Sequence, residues 1–236
     1  MSMKRILVPE RLDADAGTPR QIAAAMDDLR HINSWFGGIS TTVHMLREVV
    51  LANGHHHLSF LDVGSGRGDF ASIVRQRLAP EIKIDFALLD RRPSHLNFVG
   101  NGNGNGNGKR HVNGFRRIAG DGCAIPFKSN SFDVVGCTLF AHHLESDLLV
   151  EFVNEALRVA RIAVLINDVR RSALCVALVY ASLPCYRSAI TWHDAPASAR
   201  AAFTETELYS LLQQTNASRI QMDRLAIYRM GVIAWK

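Results

Sequence analysis

The segment from residue 60 to residue 78 constrains the fold more than any other part of the chain. It reads Phe-Leu-Asp-Val-Gly-Ser-Gly-Arg-Gly-Asp-Phe and continues as an amphipathic stretch. The apolar residues predict a buried strand, and Gly64, Gly66 and Gly68 predict a sharp turn in which the backbone approaches a ligand without interference from Cβ atoms. A helix that follows the turn presents its N-terminal N–H groups to the same ligand. The segment therefore predicts a strand, a ligand-binding turn and a helix in succession.

An acidic residue before the turn indicates which ligand it binds. The glycine spacing is G-x-G-x-G, and Asp62 lies two residues before Gly64. This pattern resembles motif I of the class I S-adenosylmethionine-dependent methyltransferases, whose turn holds the amino-acid end of the cofactor. The ammonium group of that cofactor needs acidic and carbonyl partners, whereas the pyrophosphate of NAD needs bare N–H groups. The resemblance implies that Asp62, Gly64, Ser65 and Gly66 bind S-adenosylmethionine; the alternative is a purely structural turn.

Length and charge limit the classes of protein that fit. A chain of 236 residues with 47% hydrophobic content buries one sizeable core, so we expect one doubly wound domain with an accessory helical segment. Its 27 Lys and Arg against 22 Asp and Glu give a net charge of +5. The basic residues are scattered in pairs such as Arg91-Arg92 and form no dense run, which favours a solvated surface over a nucleic-acid partner.

Cysteine spacing and hydropathy predict the compartment. None of the cysteines forms a C-x-x-C pair, which favours reduced thiols in a cytoplasmic protein. The N-terminus lacks the apolar core of a signal peptide, and the longest apolar run, residues 173–181, is far shorter than the ~20 residues of a membrane span. The cysteines are Cys123, Cys137, Cys175 and Cys185.

The first 54 residues predict two helices. Thr18-Pro19-Arg20-Gln21 combines a capping threonine, a proline in the first turn and a glutamine at the third position, so the first helix begins there and ends at Gly37-Gly38. A second helix is predicted over residues 42–52. We expect residues 1–54 to form a helical lid over the substrate and residues 55–236 to form the cofactor-binding core. An equally weighted alternative is a helical pair packed on the edge of the sheet.

The remaining chain alternates between strand and helix patterns. Strands are predicted at residues 58–63, 82–89, 115–119, 132–137, 162–167, 219–225 and 226–235, and helices at 68–78, 147–159 and 204–214. The alternation predicts an α/β fold with a doubly wound, mostly parallel sheet, which the resemblance makes a seven-stranded Rossmann-like methyltransferase sheet. Residues 94–99 leave room for a short helix, and the Asn-Gly repeats at 100–108 predict a flexible loop.

Two further acidic residues follow predicted strands. Asp90 ends the second strand about 20 positions after the glycine turn, where a carboxylate accepts both ribose hydroxyls of an adenosine. Asp121 lies in Gly-Asp-Gly-Cys-Ala-Ile-Pro-Phe, which resembles the G-D-A-x-x-L-P-F segment of the same family. The resemblance implies that Asp121 binds the adenine amino group and that the backbone of Gly122 meets the ring. Arg91 completes the predicted cofactor set, whereas Asp133 is expected to be structural.

Histidines are the candidate catalytic residues. His142 and His143 follow the fourth predicted strand and should face the ligand crevice; an unperturbed imidazole with a pKa near ~6.5 suits a base that takes a phenol proton. A histidine occupies a place similar to His142 in plant-type small-molecule O-methyltransferases. The alternative is that one of the pair packs or contacts the cofactor. His193 is a second candidate, against a plain loop histidine, and the run at residues 55–57 is not expected to bind a metal because consecutive residues point apart.

The segments around residues 140–144, 167–172 and 194–207 most resemble the quinone and phenol methyltransferases related to ubiquinone and menaquinone biosynthesis. The resemblance implies methyl transfer to an oxygen or ring carbon of a small aromatic, phenolic or quinone-like metabolite. Trp35, Phe36, Tyr180 and Tyr186 are candidates to line an aromatic pocket, and the alternative is that they belong to the core. Two other classes stay open. One is a cofactor-binding regulatory protein without activity, and the other is an RNA methyltransferase, although the chain lacks the Asn/Asp-Pro-Pro-Tyr/Phe motif of base-amino methylation. The oligomeric state and the exact acceptor are not predicted.

Overall fold

The computed structural model describes residues 3–96, 111–112, 114–226 and 228–236. Its strands are β1 (His57–Val63), β2 (Lys83–Asp90), β3 (His111–Val112), β4 (Phe115–Ala119), β5 (Phe132–Thr138), β6 (Ala160–Val169), β7 (Arg219–Ala226) and β8 (Arg229–Trp235). Its helices are α1 (Pro19–Trp35), α2 (Gly38–Asn53), α3 (Asp69–Leu78), α4 (Pro93–Leu96), α5 (Ser146–Val159), α6 (Ala173–Ser182), α7 (Ala189–Ala201) and α8 (Glu205–Leu212). The predicted Asn-Gly loop lies outside the described residues.

All strands belong to one sheet with the order β3-β4-β2-β1-β5-β6-β8-β7. Neighbouring strands from β4 to β6 are parallel, and β8 runs antiparallel between β6 and β7. The predicted doubly wound, seven-stranded, mostly parallel sheet is confirmed. The two-residue β3, which pairs antiparallel with β4, is an addition at the edge that the sequence did not predict.

The central strands are apolar on both faces because helices cover both. On β1, Leu61 and Val63 face the core beneath α5 and α8, whereas Leu58 and Phe60 face the core beneath α2 and α3. Strand side chains alternate between faces, so a parallel sheet that is covered on both sides needs a continuous apolar run. This arrangement places the ends of β1, β2, β5 and β6 at one open edge.

The two N-terminal helices pack differently. α1 begins with the predicted capping box at Thr18 and packs on both α7 and α2. α1 and α7 share a small apolar cluster that includes Met26 and Ile190. α2 packs directly on the sheet and on α3, and its Met45 and Leu46 are fully buried in the main core. The contacts therefore join α2 to the core layer, and the predicted boundary at residue 54 stays a prediction.

The structure contains two helices that the sequence analysis missed. α6 is apolar on most of its surface and lacks the one-sided pattern that predicts a surface helix. α7 carries Pro196 in its interior, a residue that normally ends a helix pattern. The alternative interpretation of His193 as a plain loop histidine is wrong, because His193 lies in α7, which Ser188 caps by accepting a hydrogen bond from Ile190 N. Within the described residues, no helix is both long and apolar enough to cross a membrane.

Residues 3–17, which we call the N-terminal strap, lie across the open edge of the sheet. The strap has no regular strand or helix beyond a turn. Arg5 donates hydrogen bonds to the carbonyl oxygens of His142, Leu144 and Ala201, at 3.0, 2.7 and 2.6 Å. The strap is thereby attached both to α7 and to the loop after β5.

Candidate active site

One cavity of about 460 Å³ lies at the carboxyl ends of the parallel strands, where doubly wound sheets bind their ligands. The strap, α1, α6 and α7 form its other walls. All of the residues that the sequence analysis assigned to the cofactor line this cavity, although they come from three separate loops. They are Asp62, Gly64, Ser65, Gly66, Asp90, Arg91, Asp121 and Gly122.

The glycine turn approaches its neighbours closely. Gly64 has φ +69° and Gly66 has φ +53°, a backbone conformation that side chains disfavour. A Cβ atom at Gly64 would lie 2.8 Å from Cδ2 of Phe140. The N–H of Gly64 donates to the Leu89 carbonyl oxygen at 2.9 Å, which fixes the turn to the end of β2. The turn is thus rigid and leaves no room for a side chain.

Two polar groups at the turn are buried without a partner. Oδ2 of Asp62 and Oγ of Ser65 have no hydrogen-bond partner among the described residues. Burial, together with the nearby Asp90 carboxylate, raises the pKa of Asp62 to about 8. Buried unsatisfied groups are costly in an empty protein, and they are typical of sites whose partner is a ligand.

Asp90 stands at the end of β2 as predicted. Its Oδ2 accepts the Gly66 N–H at 2.9 Å and its Oδ1 accepts the Arg92 N–H at 2.8 Å. Each carboxylate oxygen keeps a further lone pair for a ligand hydroxyl. Asp121 is exposed at the cavity rim, where its Oδ1 accepts the Cys123 N–H at 2.9 Å. Both carboxylates are therefore held by backbone donors and aimed at the cavity.

His142 lies in a short 3-10 turn after β5, and its side chain is almost fully buried. Its Nδ1 is 2.7 Å from Oδ1 of Asp168, and its backbone N–H donates to Asp168 Oδ2 at 3.0 Å. Its Nε2 is 3.3 Å from Oε1 of Glu10 but makes no hydrogen bond of good geometry. The turn is entered through Leu139, a non-glycine residue with φ +54°, which stores backbone strain at the cavity wall.

The charge of His142 follows from these carboxylates. Burial alone lowers its pKa, but Asp168 and Glu10 outweigh burial and raise the pKa to about 10. Burial acts against ionisation of Glu10 and Asp168 as well, yet the contact with His142 keeps the pKa of each below its ordinary value. As arranged here, His142 keeps its proton at neutral pH, so the predicted base is not free to accept another.

His143 lies beside His142, with ring centroids 4.1 Å apart. Its Nδ1 is 3.0 Å from Oδ2 of Asp13, and its Nε2 is 4.0 Å from Oε2 of Glu10. His143 is less buried than His142, and both line the cavity. The two predicted histidines thus share the carboxylate of Glu10 from the strap.

The structure does not bring the third candidate to the cavity. His193 lies on α7, where its Nδ1 is 2.7 Å from Oδ1 of Asp194, and it is not among the cavity-lining residues. Of the four candidate aromatics, Phe36 and Tyr186 line the cavity, whereas Trp35 and Tyr180 are exposed.

Sequence reasoning missed three carboxylates of the site: Glu10, Asp13 and Asp168. Asp168 carried a usable signal, because it lies at the end of a strand that neighbours β5 in such a sheet. Glu10 and Asp13 carried none, because they belong to an irregular segment distant in sequence from the histidines. The expectation for Asp133 agrees with its contacts, since it accepts hydrogen bonds from Ser59 and Arg161 at the opposite end of the strands.

Comparisons with known proteins agree with the fold. Residues 61–163 match the family model of a methyltransferase domain. A SAM-dependent methyltransferase from Aquifex aeolicus superposes with a TM-score of 0.53 at 18% identity, covering 80% of this chain and 88% of that one. Human N-acetylserotonin methyltransferase in complex with SAM superposes with a TM-score of 0.62 at 14% identity, and the match covers 92% of this chain and 55% of that one. Magnesium protoporphyrin IX methyltransferase from Synechocystis PCC 6803 with bound SAH superposes with a TM-score of 0.51 at 13% identity, and the match covers 85% of this chain and 84% of that one. No curated protein matches the sequence significantly.

Residues 61–163 thus match a methyltransferase domain, and the sheet order and the glycine turn agree with an enzyme whose cofactor is S-adenosylmethionine. The residues present fit that cofactor. The unpartnered Asp62 carboxylate suits an ammonium group, and Asp90 suits vicinal hydroxyls. At Gly66, which lines the cavity, the nearest atom to an added Cβ is Sδ of Met26 at 3.7 Å, so the backbone there is open to a ligand.

Proposed function

We propose that this enzyme methylates an oxygen, or a ring carbon, of a small aromatic, phenolic or quinone-like metabolite. The observation that supports this most strongly is the composition of the cavity beyond the cofactor residues. There most of the wall residues from α1, α6 and α7 and their flanking loops are apolar or aromatic, and Glu10, His142 and His143 form a polar cluster that we call the polar end of the cavity. The apolar walls include Met26, Leu29, Phe36, Leu178, Tyr186 and Ile190.

We assign the predicted cofactor residues to the following roles. Asp62 and the turn at Gly64 hold the amino-acid end, Asp90 holds the ribose, and Asp121 with the Gly122 backbone holds the adenine; Arg91 lies at the rim. When bound, S-adenosylmethionine supplies a methyl group that is already activated by the positive sulfonium, so the protein mainly aligns the acceptor and excludes water. A flat aromatic acceptor needs apolar contact, which the apolar walls of the cavity provide and charged residues alone would not.

The polar end of the cavity is where the acceptor oxygen would lie in this proposal. His142, His143 and Glu10 are grouped there within reach of the apolar walls. We assign the two histidines to positioning and activating the acceptor, and we leave His193 out of the active set because it does not face the cavity. The strap, α1, α6 and α7 form the lid in this proposal, since they cover the cavity while α2 packs in the core.

A small-molecule acceptor also suits the dimensions of the site. The cavity of about 460 Å³ is of the size that holds small-molecule ligands in known proteins, and the strap forms part of its lining. The four cysteines are free, which supports the cytoplasmic location expected from the sequence.

The test starts with binding and ends with turnover. Calorimetric titration should give micromolar affinity for S-adenosylmethionine and S-adenosylhomocysteine and no binding of NAD. The protein is then incubated with S-adenosylmethionine and a panel of phenols, catechols and hydroxyquinones, with fatty acids, amines and short RNAs as control acceptors. Mass spectrometry should find a +CH2 product only among the aromatic acceptors. Turnover confined to RNA or amines would reject the proposal, and cofactor binding without turnover on any class would favour a regulatory protein.

A further inference from the structure

The polar end of the cavity has the geometry of a metal site. Glu10, His142 and His143 each offer one ligand atom, and these atoms lie within 4.8 Å of one another. Nε2 of His142 is 3.3 Å from Glu10 Oε1, and Nε2 of His143 is 4.0 Å from Glu10 Oε2. Donors of a tetrahedral Zn²⁺ with bonds of about 2.0–2.2 Å lie about 3.4 Å apart. The three donors thus require only small adjustments to surround one ion.

A buried nitrogen without a partner points to the same place. Nε2 of His142 is shielded from solvent, makes no hydrogen bond and faces Glu10. The protein fixes that nitrogen rigidly, because Asp168 holds both the opposite ring nitrogen and the backbone N–H of His142. A purely structural histidine would normally have both ring nitrogens satisfied. The unused nitrogen is therefore a second, independent indication of a ligand.

Each imidazole is also supported in the manner of metal-ligating histidines. Nδ1 of His142 lies 2.7 Å from Asp168, and Nδ1 of His143 lies 3.0 Å from Asp13. A carboxylate on Nδ1 orients each ring so that Nε2 can bind a metal once the metal displaces any proton on that nitrogen. The Oγ of Ser198 donates to Glu10 and orients that carboxylate as well. The cluster therefore holds three carboxylates around two imidazoles, an excess of negative charge that suits a cation.

We propose that Glu10, His142 and His143 bind a divalent transition-metal ion, with Zn²⁺ as the best match to two imidazoles and one carboxylate. Three protein ligands leave a coordination position for water or a substrate oxygen. All three ligands line the cavity, so that position is open to its interior. If the proposed function holds, the ion acts on the acceptor as a Lewis acid, stabilising the oxyanion of a phenol, catechol or hydroxyquinone. The metal site itself does not depend on that function.

The test measures metal binding directly, without cofactor or acceptor. The full-length protein without a purification tag is treated with a chelator, dialysed and titrated calorimetrically with ZnCl2, and Co²⁺ is added separately as a spectroscopic probe. We expect one Zn²⁺ per chain with an affinity tighter than micromolar, and visible Co²⁺ bands typical of four-coordinate nitrogen and oxygen ligands. Glu10→Gln and His143→Ala should each weaken Zn²⁺ binding at least 100-fold. Asp13→Asn, which only removes the partner of His143, should weaken it about tenfold.

The control variant is His56→Ala. His56 belongs to an exposed run of three histidines, so this change reports adventitious binding and should leave the high-affinity Zn²⁺ site intact. Thermal unfolding and S-adenosylmethionine titration of each variant establish that it is folded. Weak Zn²⁺ binding by the wild type that Glu10→Gln and His143→Ala leave unchanged, or binding that His56→Ala abolishes, would overturn the proposal.

The two proposals fail separately. Loss of the metal site together with normal turnover of phenols rejects the metal and leaves the proposed function standing. Tight Zn²⁺ binding with no turnover on any aromatic acceptor keeps the metal and rejects the substrate class.

Discussion

Asp194 on α7 holds the N-terminal strap through the backbone of Leu12: its Oδ2 accepts the Leu12 N–H at 3.0 Å. Its Oδ1 accepts the neighbouring Arg11 N–H at the same distance and also contacts His193 Nδ1 at 2.7 Å. This carboxylate therefore attaches the strap to α7, and the strap in turn places Glu10 and Asp13 beside the histidines. The function of His193 suggested by this geometry is to orient Asp194.

Releasing the strap should therefore destabilise the enzyme and disorganise the site. Asp194→Ala leaves two backbone N–H groups without their acceptor, and each buried unsatisfied donor costs about 1–3 kcal/mol. We expect the free energy of unfolding to fall by about 2 kcal/mol and limited proteolysis to cut within the strap. Asp85→Ala is the control, because Asp85 forms only an exposed pair with His57. Equal protease resistance of the strap in wild type and Asp194→Ala would contradict this role.

Asp90→Ala should weaken S-adenosylmethionine binding by at least tenfold. The change removes the acceptor proposed for the ribose hydroxyls and frees the Gly66 and Arg92 N–H groups that keep the turn in place. Calorimetric titration measures the affinity, and Asp85→Ala, near the start of the same strand, should leave it unchanged. Unaltered affinity in Asp90→Ala would remove Asp90 from the cofactor site.

Asp62 makes the free energy of unfolding of the ligand-free enzyme depend on pH. Its folded pKa of about 8 lies above the ordinary 3.8, so the folded state binds a proton that the unfolded state has released between those values. Its contribution to the free energy of unfolding is therefore full below pH 4 and is lost as the pH rises toward 8, by at most about 1.4 kcal/mol per pH unit. Denaturant titrations from pH 5 to 8 should show this slope in the wild type and a shallower one in Asp62→Asn.

The same variant should separate stability from binding. At pH 8, Asp62→Asn is expected to be more stable than the wild type without ligand, because no buried charge remains, and to bind S-adenosylmethionine more weakly because the ammonium partner is neutral. A variant that is both less stable at pH 8 and unchanged in affinity would show that Asp62 has another role.

Alanine substitutions at Gly54 and Gly64 distinguish the cost of a left-handed backbone from the cost of a steric clash. Gly54 (φ +73°) has no atom within 4 Å of a built Cβ, whereas at Gly64 (φ +69°) that atom meets Phe140. Gly54→Ala should lower the free energy of unfolding by about 1 kcal/mol through its left-handed backbone alone. Gly64→Ala should lower it by more and also weaken cofactor binding, as measured by denaturation and calorimetry. Identical effects of the two changes would mean that Phe140 moves aside freely.

Adjacent aromatics at the end of α1 test the acceptor pocket. Phe36 lines the cavity and packs edge-on against Tyr228, whereas Trp35 is 67% exposed. Under the proposed function, Phe36→Ala should raise the KM of an aromatic acceptor severalfold while the affinity for S-adenosylmethionine stays unchanged, because the cavity wall loses apolar contact. Trp35→Ala should change neither quantity. Steady-state kinetics with an acceptor from the panel provide the measurement, and equal KM values in both variants would place the acceptor elsewhere.

The sequence by itself determined the cofactor half of this protein. The strand, the glycine turn and the acidic residues Asp62, Asp90 and Asp121 are local signals: each depends on a few consecutive residues whose backbone conformation and polarity are fixed by their own chemistry. The order of strands along the chain then predicted the sheet. Because the carboxyl ends of parallel strands meet at one edge, residues far apart in sequence were correctly expected to share a site.

Only the tertiary structure decided the acceptor half. α6 and α7 carry no one-sided apolar pattern, and the contacts of the strap depend on α7 being present. Glu10 meets His142 although the two residues lie 132 positions apart in the sequence, and the segment that carries Glu10 has no periodicity that would predict the contact. Asp194 and Arg5 hold the strap in the position that brings Glu10 to His142. Both side chains bind backbone groups, which every sequence offers, so no residue pattern predicts this contact. Local chemistry thus fixed the residues at the carboxyl ends of the strands, and long-range packing decided which other side chains join them in the cavity.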